Sequence, residues 1–151
     1  MAELQTTYGE ALAKGYAGMV ANGETSNRLT RTIEDAAGIA FGKGAFRGNG
    51  DHGITATAAA NKFLGFTIGT MALAPIAGQA ADTYPQYDNV PVMTQGAIFV
   101  NVTGAVTDGQ ALTIATATGN ISGTAADATN IATGWVADET VTDGLCRIAK
   151  R

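Results

Sequence analysis

The clearest pattern of apolar and polar positions lies in residues 96–120. Apolar side chains recur at every second residue over 98–102, which is the period of a β-strand with two different faces. An Asp-Gly pair at 108–109 then predicts a tight turn, because this pair readily supplies the positive φ that such turns need. Apolar residues resume over 112–116. The succession of strand, turn and strand predicts a β-meander.

Shorter segments of the same kind lie on both sides of this meander. Residues 63–69 contain Phe and Ile at a frequency that favours a strand. Further strands are predicted over 131–137 and 145–149, with a turn over 142–144 between them. Several short strands at close spacing predict a mainly β protein, whose body is a small β-barrel or sandwich. The side chains predicted to face inward are Phe66, Ile68, Ile98, Val100, Val102, Leu112, Ile114, Val136, Leu145 and Ile148, with Trp135 as the one large core residue.

The strand pattern is missing from residues 1–31. A weak helical face is present there, but four glycines in the first 23 residues would each cost roughly 1 kcal/mol in a helix interior. A segment with so few apolar anchors does not offset its own ordering entropy unless it docks on something. We therefore expect an extended N-terminal arm over residues 1–31, with an amphipathic helix as the alternative, and a β-rich body over residues 32–151.

Charge is scarce in this chain and unevenly placed. Only 15% of the 151 residues are charged, which is fewer than a free monomer usually carries. Such a chain often covers part of its surface with a partner or with copies of itself. No Lys or Arg occurs between Phe63 and Cys146, whereas seven acids do. Because an acidic body repels phosphate backbones, we expect no nucleic-acid partner.

No segment predicts secretion or insertion into a membrane. The first residues lack the basic and apolar regions of a signal peptide. The most apolar stretch, residues 63–81, is interrupted by glycines and a proline. We therefore expect synthesis in a cytosol-like compartment and no membrane partner.

Motifs for catalysis or metal binding are missing from the sequence. His52, the single histidine, lies in a Gly-rich loop, and no Gly-x-Ser-x-Gly elbow accompanies it. One His and one Cys cannot make a zinc site, and the acids lack the spacing of a calcium loop. Residues 38–44 superficially resemble a phosphate loop, but have one residue too few between the glycines. Cys146 falls in an apolar-alternating strand, which indicates a buried structural thiol. We expect a protein that is not an enzyme and has no cofactor.

Six segments, in a fixed order along the chain, carry a resemblance to a known family. They are LQTTYGEALAKGYAGMVAN (4–22), AGIAFGK (37–43), FLGFT (63–67), YDNVPVMTQG (87–96), IFVNV (98–102) and the Val-x-x-Gly-x-x-Leu motif (106–112). In this order and spacing they make the chain resemble the structural cement, or capsid decoration, proteins of tailed bacteriophages. The resemblance implies a mainly β virion protein. It would bind the outside of an icosahedral capsid and stabilise joints between major capsid protein subunits, without catalysis.

The resemblance also implies partners and a location. The partner is the major capsid protein, and the location is the outer capsid surface of a virion made in the host bacterial cytoplasm. We predict that the arm grips the capsid while the body forms a homo-oligomer, with a trimer favoured over a dimer. The predicted contact residues are Tyr8, Tyr16, Arg28, Arg31, Lys43 and Arg47. Deletion of residues 2–27 is then expected to release the protein from capsids and to leave the body folded.

Two other functions remain open from the sequence. A self-assembling phage tail or baseplate component would polymerise alone instead of requiring a shell. A carbohydrate-binding β-module would use Tyr84, Tyr87 and Trp135, whose rings could stack on sugars.

Overall fold

The computed structural model describes residues 14–70 and 80–151, and in these ranges the chain forms eleven β-strands and no helix. The strands are β1 (Asn27–Ile33), β2 (Ile39–Ala40), β3 (Gly44–Arg47), β4 (Gly53–Thr55), β5 (Phe63–Thr67), β6 (Thr83–Tyr84), β7 (Asn89–Val102), β8 (Ala111–Ala115), β9 (Ile121–Ser122), β10 (Asn130–Ala137) and β11 (Gly144–Lys150). The prediction of a mainly β protein is confirmed. Within this part of the chain, no helix is long and apolar enough to cross a membrane.

Five strands form a closed barrel, called here the C-terminal barrel. Its circuit runs from β7 to β11, β10, β8 and β9, and returns to β7. The neighbours are antiparallel, except that β9 closes the circuit parallel to β7 at the pair Val102 and Ile121. Closure leaves no free strand edge in this circuit. The predicted small β-barrel is therefore confirmed.

Strands β1, β4, β3 and β5 form a second circuit with β7, called here the N-terminal ring. It runs from β1 to β4, β3, β5 and β7, and β7 pairs with β1 again. Strand β7 is 14 residues long and belongs to both circuits. Its residues 89–95 pair with β1, and its residues 96–102 pair with β11. One continuous strand therefore joins the two halves of the molecule.

Gly96 marks the point where β7 passes from one circuit to the other. Its φ is +128°, a value that side-chain-bearing residues rarely adopt. A Cβ built on Gly96 would lie 2.7 Å from the Cβ of Ser26, which is too close for two carbon atoms. Glycine is therefore required here both by the backbone conformation and by the close approach of the segment that leads into β1.

The strands and turns predicted for the meander are present, but β7 and β8 are not neighbours. Strands β11 and β10 lie between them in the barrel. The turn at 107–110 instead carries the chain towards β10, where the Gly109 amide donates to Ala137 O at 2.8 Å. A turn sequence specifies a change of direction and does not specify which strand becomes the partner. The partner is set by closure of the barrel.

Most of the predicted inward residues are buried, and two are not. The confirmed residues are Phe66, Ile68, Ile98, Val100, Val102, Leu112, Ile114 and Ile148, and Trp135 is buried as well. Val136 and Leu145 are only half-buried. Val136 lies between the buried residues Trp135 and Ala137, and adjacent residues of a strand face opposite sides. Leu145 directly precedes the buried Cys146, and adjacent residues of a strand face opposite sides.

The buried apolar side chains form two clusters. The larger cluster fills the C-terminal barrel around Trp135 and also includes Phe46 of β3 and Phe66 of β5. The smaller cluster lies among strands of the N-terminal ring and includes Ile33, Ile54, Tyr84, Val90 and Val92. Because β3 and β5 contribute to the larger cluster, the two circuits share apolar packing as well as a strand.

Cys146 is fully buried in β11, which confirms the interpretation of a buried thiol. Burial raises its pKa to about 11, and the nearby Glu139 carboxylate acts in the same direction. The thiolate is the reactive form of cysteine, so a raised pKa and burial together suppress reaction.

We expect Cys146 in the folded protein at pH 8 to react with a maleimide at least about tenfold more slowly than in the denatured chain. The measurement is the time course of mass increase with and without denaturant. Labelling of the folded protein at the rate of the denatured chain would show that β11 opens readily.

Part of the predicted arm is paired with the body. Three backbone hydrogen bonds join residues 18–21 to residues 97–99 of β7, the shortest from the Gly18 amide at 2.7 Å. Gly18 O also accepts a hydrogen bond from the Gly69 amide at 2.8 Å. Residues 18–21 therefore supply backbone partners for β7 and for the segment that follows β5.

The boundary predicted after residue 31 falls within β1, which spans Asn27–Ile33. Residues 1–13, with Tyr8, lie outside the described residues. A deletion of residues 2–27 would remove the backbone bonds to β7 described above, so we no longer expect it to leave the body intact. A truncation that ends at residue 13 keeps those bonds.

Candidate binding surface

The motifs considered for metal, phosphate and general-base chemistry can be compared with the described residues. No three side chains of His, Cys, Asp or Glu in this part of the chain come together as a metal site. The amides of Phe41, Gly42 and Lys43, in the segment that resembles a phosphate loop, already donate to other protein oxygens. They are therefore not available to cradle a phosphate. His52 lies with its Nδ1 3.1 Å from a guanidinium nitrogen of Arg31.

All four ion pairs among the described residues lie around the C-terminal end of the chain. They join Lys14 with Glu139 (2.8 Å), Arg147 with Asp138 (2.9 Å), and Arg151 with both Glu24 (2.9 Å) and Asp138 (3.2 Å). We call these six residues the charge clasp. Exposed pairs contribute little to stability, at most about 1 kcal/mol each. The main effect of the clasp is therefore positional, because it holds residues 14–24 against the C terminus.

The carboxylates of the clasp are ionised at neutral pH. Hydrogen bonds from Arg151 hold the pKa values of Asp138 and Glu24 below their usual range. Burial raises the pKa of Glu139, but Lys14 and the Arg147 amide lower it by more, so its pKa also ends below the usual value. The charges of the clasp are thus balanced internally.

The cations of the N-terminal ring are in a different situation. They are Arg28, Arg31, Lys43, Arg47 and Lys62, called here the ring cations. None of the five forms an ion pair with a carboxylate among the described residues. Four of them are exposed and Arg31 is half-buried. The ring therefore presents cations that are not held in ion pairs by this part of the chain, together with the exposed carboxylates Asp51, Asp82 and Asp88.

The carboxylates nearest to these cations in the sequence are used for backbone hydrogen bonds. Glu34 accepts the amides of Asn49 at 2.8 Å and Gly50 at 2.7 Å, and these two bonds lower its pKa. Asp35 accepts the hydroxyl of Thr55 at 2.7 Å and the amide of Ala56. Both carboxylates therefore shape loops, and neither forms an ion pair with a ring cation.

The predicted contact residues are distributed over the N-terminal half. Tyr16 is 45% exposed, and its hydroxyl donates to Gly69 O at 3.3 Å. Tyr16 and Lys43 line one cleft of about 300 Å³. Arg28 and Arg31 are both on β1, and Arg31 contacts the loop that follows Arg47. The structure thus brings Tyr16 together with Lys43, and Arg31 close to the loop after β3.

Sequence reasoning overlooked two residues of this surface. Lys62 was not among the predicted contacts, although it is the last cation before the long stretch without Lys or Arg. The second is Tyr87, which the sequence places in a loop and in the candidate sugar site. Its ring is 74% exposed, and its φ of +67° lies in the left-handed region. No feature of the sequence distinguishes it from a tyrosine packed in a loop.

The three aromatic residues considered for a carbohydrate site do not form one. Trp135 is fully buried in the core of the C-terminal barrel. Tyr84 is 4% exposed, and its hydroxyl donates to Ile68 O at 2.7 Å inside the N-terminal half. Of the three rings only Tyr87 can meet a ligand, so the prediction of a shared sugar-stacking surface is wrong.

Comparison with known proteins gives one family and a similar fold. The family model described as "Structural cement protein (E217 gp24/Pam3 gp6)" matches residues 4–150. A chain in the solved structure "The capsid of Myoviridae Phage XM1" is similar over 99% of this chain and 97% of that chain, with a TM-score of 0.66. The two chains are 14% identical, so this likeness concerns the fold. No protein with a curated description matches the sequence.

Proposed function

The chain belongs to the family of phage structural cement proteins, and on this premise we propose that it binds the outside of an icosahedral capsid and stabilises joints between major capsid protein subunits. The family role is structural and concerns the virion. A cement protein needs no turnover, only a surface that is complementary to several subunits at once. The proposal includes synthesis in the host bacterial cytoplasm before attachment to the outer surface of the shell.

The observation that carries the proposal is a difference between two groups of cations, those of the charge clasp and those of the N-terminal ring. The cations of the charge clasp are satisfied within the chain, whereas the ring cations have no carboxylate partner in the described residues. Exposed cations that form no ion pair within the chain favour a partner surface with carboxylates, and they accelerate association with it. In the proposal the N-terminal ring faces acidic patches on the shell, with Arg28, Arg31, Lys43 and Arg47 in contact.

The N-terminal arm is the second part of the proposed attachment. The clasp holds Lys14 beside Glu139, so the chain preceding residue 14 starts from a fixed point of the body. In the proposal residues 1–13, with Tyr8, reach a neighbouring shell subunit, and Tyr16 continues this contact at the edge of its cleft. Two linked contacts raise the effective concentration of each, so moderate individual affinities give tight attachment.

The proposed oligomer is a trimer, with a dimer as the alternative. The support for an oligomer is that only 15% of the residues are charged. Few charged side chains would then have to lose their water when copies meet. An oligomer that spans several capsomers multiplies the number of contacts that must break together when a shell ruptures.

We expect the purified full-length protein to bind undecorated, expanded capsids of its own phage and to raise their melting temperature. A variant that lacks residues 2–13 should bind roughly tenfold more weakly, because one of two linked contacts is lost. Its own unfolding temperature should match that of the full chain, since the backbone bonds of residues 18–21 remain. Cosedimentation with capsids and calorimetry of the decorated shells are the measurements.

Two outcomes would contradict this function. Failure of the full-length protein to bind expanded capsids would refute attachment to the shell. Growth of tubes or filaments by the purified protein without any shell would support a tail or baseplate component instead.

A further inference from the structure

Tyr87 combines high exposure with an unfavourable backbone conformation. Its side chain is 74% exposed, more than that of any other large hydrophobic residue in the described ranges. Its φ is +67°, where residues other than glycine and asparagine are disfavoured. Neither the exposure nor the conformation benefits the folded chain by itself. Residues held in such conformations are concentrated at functional sites, where the surrounding structure holds them in place.

The surrounding structure fixes the backbone of Tyr87 from both sides. Its amide donates to Ile33 O at 2.9 Å, and the Ile33 amide donates to Asp88 O at 3.1 Å. The Asp88 amide donates back to Pro85 O at 3.2 Å, which closes the turn. The side chain of Gln86 donates to Glu34 O at 2.8 Å. The ring of Tyr87 is therefore presented from a rigid turn, and a partner would not need to order this backbone on binding.

The surroundings of Tyr87 indicate the chemistry of a partner. Arg31 lies on β1 two residues before Ile33, which holds the Tyr87 turn. His52 approaches Arg31 from the other side of β1, with its Nδ1 3.1 Å from the guanidinium. The carboxylate of Asp88 accepts the amide of Asn89 at 3.1 Å and forms no ion pair with Arg31. Tyrosine and arginine are the residue types most enriched at interface hot spots, and both occur here, on the turn and on the strand that holds it.

We propose that Tyr87 is the anchor through which the N-terminal ring docks on a capsid subunit, with Arg31, on the strand that holds the Tyr87 turn, as a second contact. The inference rests on the proposed cement function and adds to it the point of contact. The complementary surface on the subunit is a pocket for an aromatic ring with a carboxylate at its rim.

The deciding variant is Tyr87→Gly, because it removes the ring and also relieves the left-handed backbone. We expect its dissociation constant for undecorated, expanded capsids to rise roughly tenfold. Its unfolding temperature should be unchanged or higher, since glycine adopts positive φ without strain. Asn61→Gly is the matched control, because Asn61 is also exposed and has a φ of +60°. This control should bind capsids as well as the unmodified protein does.

A second variant tests the contribution of Arg31. Arg31→Gln should weaken binding about threefold and reduce the dependence of binding on salt, because one charge pair is lost. Unchanged binding by Tyr87→Gly, while the unmodified protein binds, would overturn this inference and leave the cement function intact. Equal losses for Tyr87→Gly and Asn61→Gly would also overturn it. If Tyr87→Gly dissolves an oligomer instead of weakening capsid binding, the occupant is a second copy and the inference is wrong.

Discussion

Replacement of Trp135 by alanine is expected to lower the free energy of unfolding by roughly 3–5 kcal/mol. Trp135 is fully buried, and its ring meets that of Phe66 edge-on with the centroids 5.3 Å apart. Phe66 in turn meets Phe63, and Phe63 meets Phe46, at similar distances. This row of rings runs from the C-terminal barrel into strands of the N-terminal ring. Removal of the Trp135 ring, at one end of this row, leaves a cavity that the close-packed barrel cannot fill by rearrangement.

The measurement is urea unfolding of the isolated protein, followed by circular dichroism because Trp135 is the single tryptophan. Val136→Ala is the control, since Val136 is adjacent in the chain but only half-buried. It should cost less than about 1.5 kcal/mol. A loss of less than about 1 kcal/mol for Trp135→Ala would show that the two halves do not depend on this shared core.

Neutralisation of four ring cations is expected to weaken capsid binding by about a hundredfold. The variant carries Arg28→Gln, Arg31→Gln, Lys43→Gln and Arg47→Gln. None of these side chains has a carboxylate partner in the described residues, so the folded body loses no ion pair there. Each lost charge removes attraction to an acidic partner surface, and the effects accumulate over four positions. Binding should also become nearly independent of salt concentration.

The measurement is equilibrium binding to expanded capsids at several salt concentrations. The double variant Lys150→Gln and Arg151→Gln is the control, because it removes positive charge at the opposite end of the chain. It should change the affinity less than about threefold, through a weakened clasp alone. If the fourfold variant binds with unchanged affinity and salt dependence, the N-terminal ring does not face the shell.

The sequence was sufficient for much of the fold because the relevant signals are local. Alternation over residues 98–102 predicted the second half of β7, and Asp108-Gly109 predicted the turn after it. Cys146 was expected to be buried from its strand pattern, and it is. The two misplaced core residues, Val136 and Leu145, are each adjacent in the strand to a buried residue, Trp135 and Cys146, and so face the other side. Because side chains of a strand alternate between its two faces, an error of one position exchanges the inward and outward residues.

The candidate binding surface was predicted less completely. Arg28, Arg31, Lys43 and Arg47 were predicted contacts before their surroundings were known. Whether a cation is paired depends on residues distant in sequence, such as Lys14 and Glu139, which are 125 positions apart. Tyr87 was not distinguished from other loop tyrosines, because its exposure and positive φ follow from how its turn is held by Ile33.

By itself, the sequence determined the strand and turn character of the described chain, the burial of Trp135 and the separation of cations from acids along the chain. Each of these depends on spacing and side-chain chemistry within short segments. Only the tertiary structure decided that β7 passes at Gly96 from the N-terminal ring into the C-terminal barrel, and that residues 18–21 pair with it. The physical reason is that strand partners are selected by closure of the hydrogen-bonded circuits and by shared packing between distant segments. The pattern of residues within a short segment does not specify which distant segment becomes its partner.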